Sequence, residues 1–264
     1  MHIIALILVR AGSKGLPDKC AMPLCGRPVV AHTIVHAQQS ERVDAIVLST
    51  DSPRTAQVAR QMGVTVIDRP VELTTETATT QDAVRHAVAD YESRTGQQVD
   101  LIVVLAGKVP LREDGLIDRC VDRLLETGAD SVQTVQRVGK CHPDWMYRIQ
   151  DGQMLPLTSS NIVSSKDLEP LYRLTGSVVT VRRQFLAAAA CNQSPTAYLG
   201  THRQAVVQEE DCVEIDSLAD FYYAEALIRV RNEATFLDFP TGGTRRRPIS
   251  AAIGHGAGYD RRHH

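Results

Sequence analysis

Short apolar runs alternate along the chain with longer segments whose apolar residues recur at helical spacing. Residues 3–9, 45–50, 64–67, 99–105 and 131–138 are rich in Ile, Val, Leu and Thr and read as strands. Residues 29–39, 53–62, 77–94 and 114–127 read as helices between them, the second opened by Asp51 or Ser52 as its cap. Strands that stay apolar along their length are covered on both faces, so the alternation predicts an α/β fold with a mainly parallel sheet. Such sheets hold ligands at the carboxyl ends of their strands. Residues 10–19, Ser49-Thr50-Asp51 and Pro110-Leu111-Arg112 all fall just after predicted strands.

The alternation stops between about residues 140 and 175, a stretch with the single tryptophan, a turn at Asp151-Gly152 and several polar residues. A long irregular excursion in a compact domain serves function or assembly, so this stretch reads as an arm or lid. Residues 178–181 and 205–208 return as strands, and 218–230 as an amphipathic helix. Residues 1–240 therefore form one domain, while 241–264, glycine-, arginine- and histidine-rich without apolar period, read as a mobile tail.

At 264 residues and 43% hydrophobic content the chain can bury a full core. A formal net charge of -2 argues against a nucleic-acid partner. The first apolar run is too short to cross a bilayer and has no basic leader, so the expectation is a cytoplasmic protein without a membrane partner. Six cysteines lie without a C-x-x-C pair, which fits reduced thiols better than zinc or disulfides.

The richest chemistry lies where the first strand ends, in Arg10-Ala11-Gly12-Ser13-Lys14-Gly15-Leu16-Pro17-Asp18-Lys19. Glycines let backbone N–H groups approach an anion, here those of Gly12 and Ser13, and Arg10, Lys14 and Lys19 can neutralise its charge. The spacing matches neither G-x-x-x-x-G-K-[ST] nor G-x-G-x-x-G, so this is a phosphate loop of another kind.

With four further segments this loop resembles the acylneuraminate cytidylyltransferases, the CMP-sialic acid synthetases and their relatives. The loop is similar to that family's R-x-G-S-K-G-[IL]-P-x-K, and Leu24-Cys25-Gly26-Arg27-Pro28 to the L-x-G-[KR]-P after it. Ser49-Thr50-Asp51 resembles its S-T-D, and Arg69-Pro70-Val71-Glu72-Leu73 its R-P-x-x-L. Val213-Glu214-Ile215-Asp216, with Asp220-Phe221 and Ala224-Glu225 beyond, resembles its late D-I-D and trailing helix. The resemblance implies a Rossmann-like nucleotidyltransferase fold, CTP as co-substrate, Mg²⁺ as cofactor, and a homodimer whose arm near residues 140–175 crosses to its partner. It implies that Arg10, Ala11, Gly12, Ser13, Lys14, Lys19 and Arg69 bind the nucleotide. It also implies that Asp216 and Glu214 hold the metal, with Arg10, Lys19 and Asp216 catalytic. Asp216 has a second reading as N-cap of the helix near Leu218.

The departures from that pattern cluster on the acceptor side. Ala106-Gly107-Lys108-Val109-Pro110-Leu111-Arg112 stands where the family has Q-P-T-S-P-L-R, and Tyr172-Arg173-Leu174-Thr175-Gly176 where it has Y-x-x-N-G. Cys20 replaces an asparagine beside the nucleotide, which leaves a nucleotide other than CTP open. An acidic acceptor is then expected to meet Lys108, Arg112, Arg148, Lys166, Tyr172 and Thr175. His142 and Trp145 read equally as interface and as substrate contacts. Two other classes stay open: a sugar-1-phosphate or molybdopterin-type nucleotidyltransferase, and a non-catalytic nucleotide-binding protein.

Overall fold

The computed structural model describes residues 1–12, 15–75, 77–160, 162–189 and 194–234. The chain runs β1 (Ile3–Leu8), a small hairpin of β2 (Pro23–Leu24) and β3 (Arg27–Pro28), α1 (Val29–Gln38), β4 (Ala45–Thr50), α2 (Pro53–Gln61) and β5 (Thr65–Asp68). Then come α3 (Thr80–Thr95), β6 (Leu101–Ala106), α4 (Leu116–Thr127) and β7 (Ser131–Arg137). A second hairpin follows, β8 (Tyr147–Gln150) and β9 (Gln153–Pro156), then β10 (Tyr172–Arg182), α5 (Gln184–Ala189), β11 (Arg203–Val207) and α6 (Leu218–Ala234).

Seven strands form one sheet in the order β11-β7-β10-β6-β1-β4-β5. Only β10 runs antiparallel to its neighbours, β6 and β7. The period of two along β1 divides the core. Ile3, Ala5 and Ile7 pack with apolar residues of α1, α2 and α4, whereas Ile4 and Leu6 pack with Val84, Ala87, Val88 and Tyr91 of α3. A third cluster seats Phe221, Ala224 and Ile228 of α6 on Leu24, Val29 and Leu111, and so fixes residues 213–216 at the carboxyl edge of the sheet.

Three details differ from the pattern read off the sequence. The helix expected from residue 77 begins at Thr80, because the Thr79 side chain accepts the Asp82 N–H and caps it there. Ser52, not Asp51, caps α2, accepting the Thr55 N–H at 3.1 Å. The strand expected over 178–181 is eleven residues long, so Tyr172 and Thr175 belong to the main sheet and not to the arm. Gly176, at φ 64°, breaks its ladder with β7.

What remains of the excursion is the β8–β9 hairpin, turned by Asp151 and Gly152 at φ 51° and 79°. Every residue of β8 and β9 is exposed. His142 and Trp145 hold its base together, through His142 Nε2 to the Glu169 carbonyl (3.0 Å) and Trp145 Nε1–H to the Ile162 carbonyl (2.9 Å). The tail expected to be mobile lies outside the described residues.

Candidate active site

The chain leaves β1 for β4 and β5 on one side, then returns to β6 on the other. A cleft of about 490 Å³ opens there, lined among others by Arg10 after β1, Arg69 after β5 and Lys108 after β6. This reversal of strand order is where α/β sheets hold ligands.

The loop after β1 is closed on itself and pinned to α2. The Asp18 N–H donates to the Ala11 carbonyl at 3.0 Å, and the Ser52 hydroxyl donates to Asp18 at 2.7 Å. Asp51 accepts the Ala11 N–H at 2.7 Å. The Ala11 N–H is thus engaged within the protein, where it anchors the loop. Asp51 thus works as a loop anchor. Ser13 and Lys14 lie outside the described residues. Gly15 passes so close to Asp216 that a Cβ there would fall 2.7 Å from the Asp216 carbonyl oxygen, so only glycine fits.

Arg69 is held in place by Ser49 at the end of β4, donating to its carbonyl at 2.9 Å and to its hydroxyl at 3.2 Å. Burial lowers the Arg69 pKa, with Asp51 partly opposing it. Arg10 reaches the Thr75 carbonyl at 3.4 Å and is otherwise exposed.

Opposite these arginines the residues from the two ends of the domain meet. The Ile215 N–H donates to the Lys108 carbonyl at 3.0 Å, which sets Glu214 and Asp216 beside the turn after β6. Lys108 Nζ lies 2.9 and 3.0 Å from the two Asp216 carboxylate oxygens and 3.2 Å from Glu214 Oε1. Lys19, 7% exposed, reaches Asp216 Oδ1 at 2.6 Å. Burial would raise the Asp216 pKa, but the hydrogen bonds from Lys19 and Lys108 outweigh it and hold the carboxyl below its ordinary value. Burial likewise opposes the charge on Lys108, yet Asp216 and Glu214 leave its pKa raised. Burial pushes the thiol of Cys20, beside Lys19 in the cleft, up to about 12, which disfavours the thiolate.

Asp216 does not cap the helix that follows. The helix-cap role falls to Ser217, whose hydroxyl accepts the Asp220 N–H at 3.3 Å while Asp220 accepts the Ser217 N–H at 2.7 Å, a reciprocal capping pair.

The residues expected to meet an acceptor are scattered. Lys108 lines the cleft, but two carboxylates already balance it. Arg112 is a correction: it is 1% exposed and spends its guanidinium on the carbonyls of Ser177, Val109 and Ala106 and on the Thr33 hydroxyl. It ties the turn after β6 to β10 and α1. Thr175 is also interior, sharing a 2.7 Å hydrogen bond with Thr134. Arg148, Lys166 and Tyr172 are exposed and outside the cleft lining. Its lining also includes residues the sequence did not single out, Thr75, Thr79, Thr80, Val179 and Tyr198. Thr75, Thr79 and Thr80 lie between β5 and the start of α3, Val179 in β10 and Tyr198 after α5, and none of them carries a motif.

The donor set fits a hard divalent cation. Glu214 and Asp216 both turn carboxylate oxygens toward the Lys108 ammonium, and Asp216 also meets Lys19 from the loop after β1. Among the described residues no third side chain joins them into a metal cage, so phosphate oxygens and water would complete the coordination.

This geometry has counterparts among known proteins. The chain is similar to the CMP-N,N'-diacetyllegionaminic acid synthase of Legionella pneumophila, 31% identical over 240 residues, 89% of this chain and 99% of that protein. It is 32% identical over 182 residues to the N-acylneuraminate cytidylyltransferase of Streptococcus agalactiae serotype III, covering 67% of this chain and 43% of that longer protein. The fold superposes on a CMP:2-keto-3-deoxy-manno-octonic acid synthetase solved with CTP, at TM-score 0.66 and 16% identity, over 88% of this chain and 100% of that one. The family described as cytidylyltransferase matches residues 4–145, from β1 past the turn that carries Lys108 and past β7 to Trp145. Arg10 and Lys19 from the loop after β1 share one cleft with the carboxylates Glu214 and Asp216, and by its family match and its similarity to the Legionella synthase the chain belongs to the cytidylyltransferase family.

Proposed function

We propose that the protein transfers CMP from CTP to an acidic sugar of the nonulosonic type and releases pyrophosphate. The observation that carries this reading is the meeting of Lys19 from the loop with Asp216 from the late strap, at 2.6 Å in the family's nucleotide cleft. A hydroxyl of the sugar attacks the α-phosphorus, losing its proton to solvent. The bond to the β-phosphate oxygen breaks, and its electron pair leaves on pyrophosphate. Such a step asks for positioning and charge neutralisation, which Arg10, Lys19 and Arg69 offer around the triphosphate. Glu214 and Asp216 would hold Mg²⁺, which supplies charge neutralisation at the reacting phosphate. The names of the Legionella and Streptococcus relatives support an acidic sugar as acceptor. A reaction fed by CTP belongs in the cytoplasm, and no helix among the described residues is long and apolar enough to cross a membrane.

The test is a pyrophosphate-release screen of CTP, UTP, ATP and GTP against nonulosonic acids, shorter keto-sugar acids and sugar-1-phosphates. Release with CTP and a nonulosonic acid is expected. Turnover only with sugar-1-phosphates, or CTP binding without release across the panel, would sink the reading.

The same reading includes a homodimer formed through the arm. Ile149, Met154 and Val163 are 68%, 62% and 91% exposed, an apolar surface that a single chain leaves uncovered. Arg148 and Lys166 lie on that arm, so they would meet an acceptor in the partner's cleft. Light scattering after size exclusion is expected to give twice the chain mass, and Ile149→Asp with Met154→Asp the mass of one chain. A monomeric parent would remove both the dimer and the acceptor role of Arg148 and Lys166.

A further inference from the structure

Lys108 holds an unusual place for a lysine. Its ammonium bridges Glu214 and Asp216, within 3.2 Å of both, and the backbone bond from Ile215 N–H to the Lys108 carbonyl keeps the two segments in register. Lys19 also reaches Asp216, so the charges of two carboxylates and two ammonium groups cancel. A pair of carboxylates attracts a divalent cation through its negative charge, and here that charge is already spent. The two lysines differ. Lys19 is buried and its ammonium pairs with Asp216, whereas the Lys108 side chain is 30% exposed and its ammonium, on a flexible four-carbon stem, spans both carboxylates.

We infer that Lys108 is a tethered rival of the metal: in the free protein it fills the cation position between Glu214 and Asp216, and a divalent cation enters only together with nucleotide. The inference rests on the proposed reading of Glu214 and Asp216 as the metal carboxylates. A triphosphate in the cleft reverses the local charge and gives the displaced ammonium an anion to meet. Lys108 is then a positioning residue that couples metal binding to nucleotide binding. The coupling is reciprocal, so metal also tightens nucleotide more than either alone would suggest. The cleft thereby avoids holding metal in the absence of its substrate.

The experiment titrates the full chain with Mn²⁺, following free Mn²⁺ by electron paramagnetic resonance, first without nucleotide and then with a non-hydrolysable CTP analogue. Without nucleotide, Lys108→Met is expected to bind Mn²⁺ more tightly than the parent by on the order of tenfold or more, and Lys108→Arg, which keeps the charge, to bind as weakly as the parent. Adding Asp216→Asn to Lys108→Met should remove the gain, which places the bound ion at this pair. With the analogue present the difference between parent and Lys108→Met should shrink. Thermal melting of each variant checks that it is folded. Equal Mn²⁺ affinity of parent and Lys108→Met without nucleotide overturns the inference, as does tight binding by the parent alone or no binding by either with the analogue. None of these readouts needs an acceptor or turnover. The pyrophosphate screen can therefore fail while the titration succeeds, and the reverse.

Discussion

Asp216→Asn is expected to slow pyrophosphate release by about a thousandfold or more, roughly 4 kcal/mol of transition-state stabilisation, while the folded protein melts within a few degrees of the parent. The side chain is 55% exposed, so its ion pairs with Lys19 and Lys108 add little to stability. Helix α6 keeps its start, because Ser217 and Asp220 cap it. Asparagine preserves the shape but removes the charge that both lysines meet and that a metal would need. The Asp216 pKa is depressed in the fold, so whatever its carboxylate contributes is complete above the ordinary carboxylate value. That contribution is lost only as pH falls through the lower folded value. The loss of rate in the variant should therefore stay the same across the neutral range. A fully active Asp216→Asn, or one that simply unfolds, would leave the metal and the chemistry to be sought elsewhere.

Lys19→Ala should have an effect of similar size, two to three orders of magnitude in kcat, as expected on deleting a charge at a transferring phosphate, about 10²–10³-fold. Lys19 is buried and paired with Asp216, and the neighbouring Lys108 is itself engaged by Glu214 and Asp216. Arg10→Ala should also cost orders of magnitude in kcat/KM for nucleotide, with the KM for acceptor less affected. Steady-state pyrophosphate release at varied CTP separates the two. Rates like those of the parent in both variants would remove the triphosphate from this loop.

The alternation of strands and helices was readable because apolar runs of strand length and helical spacing are local signals. The phosphate loop, Lys19, Arg69, Glu214 and Asp216 were readable because motifs carry them, and the structure gathers these described residues around one cleft. Arg112 misled for a physical reason. A cation after a strand end looks like a ligand-binding group, and only the fold shows that three carbonyls and a hydroxyl enclose it. Thr175 was hidden in the same way, since its partner Thr134 lies 41 residues earlier. The first residues of β10 were read as loop because Tyr172, Arg173 and Leu174 face solvent and offer no apolar run. Ser52 and Asp51 were interchangeable as caps in sequence, and only the position of the Ala11 N–H assigned their roles. The pairing of Lys108 with Glu214 and Asp216 depends on a strap about a hundred residues later, beyond the reach of any local signal.

That separation has a consequence for how the protein comes into being. Lys108 and Asp216 are 108 residues apart and Lys19 and Asp216 are 197 apart, yet they share one cluster of charges. A ribosome adding about 5–20 residues per second delivers Asp216 roughly 5–20 s after Lys108. During that interval the growing chain carries both lysines without the carboxylates that later neutralise them. Val213 and Ile215, which flank Glu214, pack in one cluster with Phe221, Ala224 and Ile228, so docking of the last described helix is expected to bring the carboxylates to the lysines and complete the site.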